Sequence, residues 1–209
     1  MGYLKLETKV FITRKVPNQI IKKLEEGCEV TVWDYEDIKV PREVLEEKIT
    51  YVDGLYCMLT ESIDKELLLK AKNLKVISTM AVGYNNIDIK TASELNIMVT
   101  NTPGVLTETT ADLTFALLMA TARRLVEASD FLRNGKWETW SPMLLTGQDI
   151  YGSTLGIVGM GRIGEAVARR AKAFNMNVLY HNRSRKHEVE KELGFTYASF
   201  EELLKQSDF

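Results

Sequence analysis

The stretch Thr154-Leu155-Gly156-Ile157-Val158-Gly159-Met160-Gly161-Arg162-Ile163-Gly164 decides how the chain is read. An apolar run ends in a G-x-G-x-x-G loop. A helical pattern follows, and then a second apolar run, Val178-Leu179-Tyr180. The motif alone is a weak signal, and a glycine-rich turn in some other α/β protein would look similar. Strand before and helix after make it a dinucleotide fingerprint. Gly159 lets the chain turn out of the strand, Gly161 lets a pyrophosphate approach the backbone, and Gly164 lets helix and strand pack closely. The helix then aims its free N–H groups, beginning with those of Arg162 and Ile163, at the phosphates.

The end of the second strand distinguishes the dinucleotides. An NAD site usually carries Asp or Glu there, bonded to the ribose 2′-OH. In this chain the position falls on Asn182, followed by Arg183-Ser184-Arg185-Lys186. A carboxylate would repel a 2′-phosphate and Asn182 does not. Arg183 or Arg185 can bind it with two parallel bonds, and Ser184 can donate another. A solvated turn would also be charged, but its place at this strand tip puts NADP(H) ahead of NAD(H).

Composition sets outer bounds. The chain has 209 residues, 45% of them hydrophobic, enough for one large domain or two small ones. A net charge of −2 offers no field for nucleic acid or an acidic membrane. The first residues, Met-Gly-Tyr-Leu-Lys-Leu-Glu, are mixed and charged, unlike a signal peptide, and no apolar run reaches the length of a membrane span. Cys28 and Cys57 form no C-x-x-C pair and read as buried, reduced thiols of a cytoplasmic protein. His181 and His187 lack the neighbours of a metal site, so no metal is expected.

The first half alternates strands (Lys9–Thr13, Glu29–Asp34, Asp53–Leu59, Leu74–Ser78, Ile97–Thr100) with helices opening at Pro17, Pro41, Asp64 and Ile87. Such alternation predicts a parallel, doubly wound α/β sheet. Asn101-Thr102-Pro103-Gly104 breaks the pattern, giving residues 1–100 as one domain and 101–209 as the next. A long helix over Thr109–Leu132 is apolar on most faces and needs cover on both sides. The segment Gly135–Tyr151, with Trp137, Trp140 and Pro142, is irregular and aromatic, suited to an arm that packs on a partner. Beyond Asn182 the pattern reads helix, short strand and helix, and Ser207-Asp208-Phe209 looks like the start of another strand.

Several blocks together resemble the D-isomer-specific 2-hydroxyacid dehydrogenases, nearest to the glyoxylate/hydroxypyruvate reductase branch. They are Ala81-Val82-Gly83-Tyr84-Asn85-Asn86-Ile87-Asp88, Thr100 to Thr107, Thr110-Ala111-Asp112-Leu113-Thr114, Ala122-Arg123-Arg124 and Leu155 to Ala173. The resemblance implies a flavodoxin-like substrate domain followed by a Rossmann-type nucleotide domain, with only the first half of the latter present. It implies that backbone amides around Val82 and Gly83 hold the carboxylate of a small 2-oxo or 2-hydroxy acid. A glycine just past a strand end is also where such amides can converge, although a plain β-to-α turn looks the same in sequence. The resemblance further implies a homodimer built by the long helix and the 135–151 arm, with Trp140 reaching toward the neighbour's substrate.

In that family an Arg binds the substrate, a His donates the proton and a Glu supports the His. All three would lie beyond Phe209, so no catalytic residue is assigned within the chain. His181 and His187 flank the adenosine 2′-position and cannot serve as the acid. The chain is therefore expected to be the front of a longer enzyme. By itself it should lack reductase activity, bind NADPH weakly and expose a bare apolar edge on the strand at 155–159. Two other readings stay open: a non-catalytic nucleotide-sensing regulator, and an inactive subunit that dimerises with a full-length partner.

Overall fold

The computed structural model describes residues 8–209, which fall into two compact units divided between Pro103 and Gly104. The first unit alternates β1 (Lys9–Ile12), α1 (Asn18–Glu25), β2 (Glu29–Val32), α2 (Arg42–Ile49), β3 (Gly54–Cys57), α3 (Lys65–Leu68), β4 (Val76–Thr79), α4 (Ile89–Glu94) and β5 (Met98–Thr100). Local chemistry sets several of these ends. Pro17 and Pro41 precede α1 and α2, where a missing N–H costs nothing. The Asp64 carboxylate accepts from the Leu67 amide at 2.9 Å, and Asp88 accepts from Thr91 at 3.0 Å, capping α3 and α4.

All strand pairs are parallel, in the order β2-β1-β3-β4-β5. This is the flavodoxin-like order. Phe11, Leu55 and Ile77 are register partners, so the strand's two-residue period puts them on one face. There they bury against Leu45 and Ile49 of α2 and Leu67 and Leu68 of α3.

The second unit contains α5 (Thr107–Ala122), α6 (Leu125–Arg133), β6 (Thr154–Val158), α7 (Arg162–Ala173), β7 (Asn177–His181), α8 (His187–Leu193), β8 (Thr196–Tyr197) and α9 (Phe200–Gln206). Its strands pair in parallel in the order β6-β7-β8, with Leu155 opposite Val178 and Ile157 opposite Tyr180. The small residues Ala166, Ala168 and Ala171 let α7 lie close to its neighbours, including Ala111 and Phe115 of α5. Arg170 of α7 holds Asp112 of α5 through Nε at 2.8 Å. A full capping box, Ser199 with Glu202, starts α9.

Two expectations need correction. The single helix over 109–132 is two helices. Arg124 adopts a left-handed backbone, φ 52°, and the Ala122 carbonyl accepts from the Gln148 amide at 2.8 Å. The arm thus takes the carbonyl that the next turn of helix would have used, and the chain turns into α6. The outer edge of β6 is not bare either. The Gly156 amide donates to the Phe209 carbonyl at 2.9 Å, the Asp208 amide to Thr154 O at 2.9 Å, and Asp208 Oδ2 accepts from the Thr154 amide at 2.8 Å. The last residues begin to extend the ladder on the side that sequence reasoning left unpaired.

Candidate functional sites for a nucleotide and a small acid

The first site lies at the carboxyl end of β6. Gly159 turns the chain with φ 102°, a conformation that disfavours any side chain. Its amide donates to His181 O at 2.9 Å, which ties the turn to β7. Gly164 faces the turn so closely that a Cβ would lie 2.4 Å from the Gly159 carbonyl oxygen. Space beside Gly161 is open, so its lack of a side chain leaves room for a ligand rather than relieving a clash. The amides of Arg162, Ile163 and Gly164 have no acceptor among the described residues, and they head the twelve-residue helix α7. Free donors and the positive end of a helix dipole coincide there, the arrangement a pyrophosphate needs.

Asn182 holds this loop from the other side. Its Oδ1 accepts from the Met160 amide at 3.1 Å, and the Met160 side chain is fully buried. Past Asn182 the strand tip divides its charges. Arg183 and Ser184 are exposed. Arg185 makes a bidentate pair with Glu190 of α8, at 2.8 and 2.7 Å, and lies over the Tyr197 ring. Lys186 is bonded to Glu165 of α7. Bonds from Arg185 and Tyr180 hold the Glu190 carboxyl well below the ordinary glutamate range, at about 2. Sequence reasoning gave Arg183 and Arg185 the same role; the structure places one free and one engaged. It also missed Glu190 and Tyr180, since an acidic residue in an exposed-looking helix reads as solvated face.

The second site lies in the other unit, at the carboxyl ends of β3, β4 and β5. The loop from Met80 to Tyr84 turns its carbonyls toward the chain after β5. Thr102 donates its amide to Ala81 O at 2.8 Å, and Asn101 Nδ2 donates to Val82 O at 2.8 Å. The amides of Val82 and Gly83 have no acceptor among the described residues, and Gly83 is exposed with open space where a Cβ would stand. Asn86 braces the same loop by donating to Met58 O at 3.1 Å and Glu61 O at 2.8 Å. Glu61 is 1% exposed and gathers the loop after β3. It accepts from Thr13 Oγ1 and the Met58 amide, both at 2.7 Å, and from Thr60 Oγ1 at 2.6 Å. Asn86 lies in one of the blocks that carry the resemblance, without a role of its own there. Nothing in the sequence marked Glu61, because a single polar residue in a turn looks the same whether buried or solvated.

Comparison with known proteins adds to this geometry. The profile of the D-isomer-specific 2-hydroxyacid dehydrogenase NAD-binding domain matches residues 115–209. A protein named glyoxylate reductase from Thermococcus onnurineus is 52% identical over 208 residues, covering 98% of this chain and 62% of its own. Residues 115–209 thus match that family's NAD-binding domain, and the chain as a whole is similar to D-isomer-specific 2-hydroxyacid dehydrogenases. A solved protein of Thermus thermophilus has a TM-score of 0.86 at 46% identity, over 96% of this chain and 63% of its own. A D-lactate dehydrogenase from Aquifex aeolicus, solved with NAD and lactic acid, has a TM-score of 0.79 at 30% identity, over 96% and 59%. The chain therefore spans about three-fifths of the length of these proteins.

Within the family frame the remaining candidate residues fall into place. His181 Nδ1 is bonded to Ala198 O at 3.0 Å and His187 begins α8, so both histidines belong to the strand-tip region. Trp140 is 75% exposed on the irregular arm. Among the described residues, no helix is long and apolar enough to cross a membrane.

Proposed function

We propose that the whole polypeptide reduces a small 2-oxo acid, glyoxylate or hydroxypyruvate, to the D-2-hydroxy acid with NADPH. The observation that carries the nucleotide half of this reading is the set of free amides at Arg162, Ile163 and Gly164, beside a strand tip that carries Asn182 instead of an acid. Gly159, Gly161 and Gly164 would seat the pyrophosphate and Asn182 would keep the loop in shape. Arg183 and Ser184 would face the 2′-phosphate, with Arg185 beside them at the strand tip, paired with Glu190. The bound cofactor supplies hydride. The Val82 and Gly83 amides would hold the substrate carboxylate, which fixes the orientation of the keto carbon. Proton donation would fall to a His supported by Glu, with an Arg on the substrate, the set that the resemblance implies. The relative's name, glyoxylate reductase, supports the choice of a compact substrate.

We also propose a homodimer through α5, α6 and the 135–151 arm. Exposed Leu113 and Leu117 of α5, Val126 and Leu132 of α6, and Trp137 and Trp140 of the arm support it, since each is a large apolar group left in water. In that dimer Trp140 would border the neighbour's substrate. The test is NADPH oxidation with glyoxylate. A polypeptide continued past Phe209 should turn over, whereas the 209-residue chain should not. Turnover by the shorter chain would reveal an acid among its own residues. Failure of the longer one with both keto acids would favour a nucleotide-sensing role.

A further inference from the structure

The strand tip carries three cations, Arg183, Arg185 and Lys186, and two of them are already paired with carboxylates. Lys186 is committed to Glu165. Arg185 is fixed at three points: two bonds to Glu190 and the Tyr197 face, 5.5 Å below its guanidinium carbon. Glu190 is itself anchored to the core. Tyr180, with its ring fully buried, donates its hydroxyl to Glu190 Oε1 at 2.6 Å and accepts from the Lys186 amide at 2.8 Å. The Glu190 side chain is only 15% exposed, so it cannot swing away without breaking the Tyr180 bond. Arg183 has no acidic partner among the described residues and is open to solvent, as is Ser184.

A guanidinium whose fork is filled by one carboxylate has little left for a second anion, because bidentate pairing uses its two best-aligned donors. We propose that Glu190 is a specificity-determining residue: it restrains Arg185, so that Arg183 with Ser184 reads a phosphate on the adenosine 2′-position. Arg185 is then a positioning residue that shapes the tip. This deepens the NADP(H) reading above and rests on it for the ligand.

The test compares adenosine 2′,5′-bisphosphate with adenosine 5′-monophosphate by calorimetry on the chain itself, which carries the glycine loop and the strand tip. Their affinity ratio isolates the 2′-phosphate and cancels general damage to the fold. Arg183→Ala should cut the ratio about tenfold, the loss expected for one charge-assisted pair. Arg185→Ala should leave it within about twofold. Glu190→Gln keeps the Tyr180 bond but releases Arg185, and should raise the ratio about fivefold; adding Arg185→Ala to it should erase that gain. A collapse of the ratio in Arg185→Ala would overturn the inference. So would a Glu190→Gln gain that survives the double substitution, since the carboxylate would then act by repulsion alone. A ratio near one in the unaltered chain would instead overturn the NADP(H) reading. The restraint would still stand if Glu190→Gln created a preference that depended on Arg185.

Discussion

Single residues set the limits of this chain most sharply where backbone meets backbone. Gly164 is the clearest case, because a methyl group there would meet the Gly159 carbonyl at 2.4 Å, with no flexible side chain to yield. Gly164→Ala should lower stability by about 1–3 kcal/mol through overpacking. It should weaken adenosine nucleotide binding at least about tenfold as the loop amides shift. Urea unfolding and calorimetry would measure both, and unchanged values would mean that the turn and helix can part without cost. The two cysteines differ by the same kind of local reasoning. Cys57 is fully buried in β3, and burial pushes its thiol up to about 12, whereas Cys28 is partly exposed. A thiolate is the reactive form, so a thiol reagent should titrate one cysteine per folded chain and two after denaturation. Mass analysis of the labelled peptide should identify Cys28.

At the scale of elements, α8 is attached to the strand tip chiefly through one carboxylate. Glu190 joins it to Arg185 and Tyr180, and its folded value lies near 2, below the ordinary glutamate range. A lowered carboxylate adds stability above its unfolded value and loses it as pH falls toward the folded one. The attachment should therefore be intact at neutral pH and fade from the ordinary glutamate range down to about pH 2. Asp53, Asp64, Asp88, Glu46, Glu127 and Glu202 are lowered as well, so the whole chain will weaken in acid. The difference between the native chain and Glu190→Gln isolates this one contact. Urea midpoints across the pH range should converge in acid and separate toward neutrality. Parallel curves throughout would show that Glu190 does not hold the helix.

The same scale shows why elements were legible while their joins were not. Alternating apolar residues and caps such as Asp64 and Asp88 are local signals, and the strands and helices formed where they predict. The division of the long apolar helix was hidden. It depends on Gln148, far along the chain, reaching back to the Ala122 carbonyl. Gly147 marks the contact: a Cβ there would sit 2.2 Å from the same carbonyl oxygen. From sequence it was one glycine in an irregular arm.

For the whole molecule the open question is assembly. Phe115 and Ala111 of α5 face α7, but Leu113 and Leu117 remain about 60% exposed, as does Leu132 of α6 at 63%. Leaving such groups in water forfeits about 1.5–3 kcal/mol for each side chain that could be buried. Sedimentation should therefore show a dimer in the complete polypeptide. Charges at Leu117 and Leu132 (Leu117→Glu with Leu132→Glu) should shift it to monomer at micromolar concentration, with adenosine nucleotide binding retained. A monomer before substitution, or a dimer that survives it, would place the contact elsewhere.

The sequence by itself determined the parallel α/β class, the glycine loop between strand and helix, the family resemblance and the absence of an acid at Asn182. Each is a short-range pattern, carried by two-residue or helical periodicity and by residues a few positions apart. Only the tertiary structure decided which cation at the strand tip is free, which polar side chains brace the loop from Met80 to Tyr84, and that Phe209 pairs with β6. Those depend on partners such as Glu165, Glu61 and Thr154, distant in sequence. A buried hydrogen bond and a solvated one are written with the same letters; the difference arises when the chain closes around them.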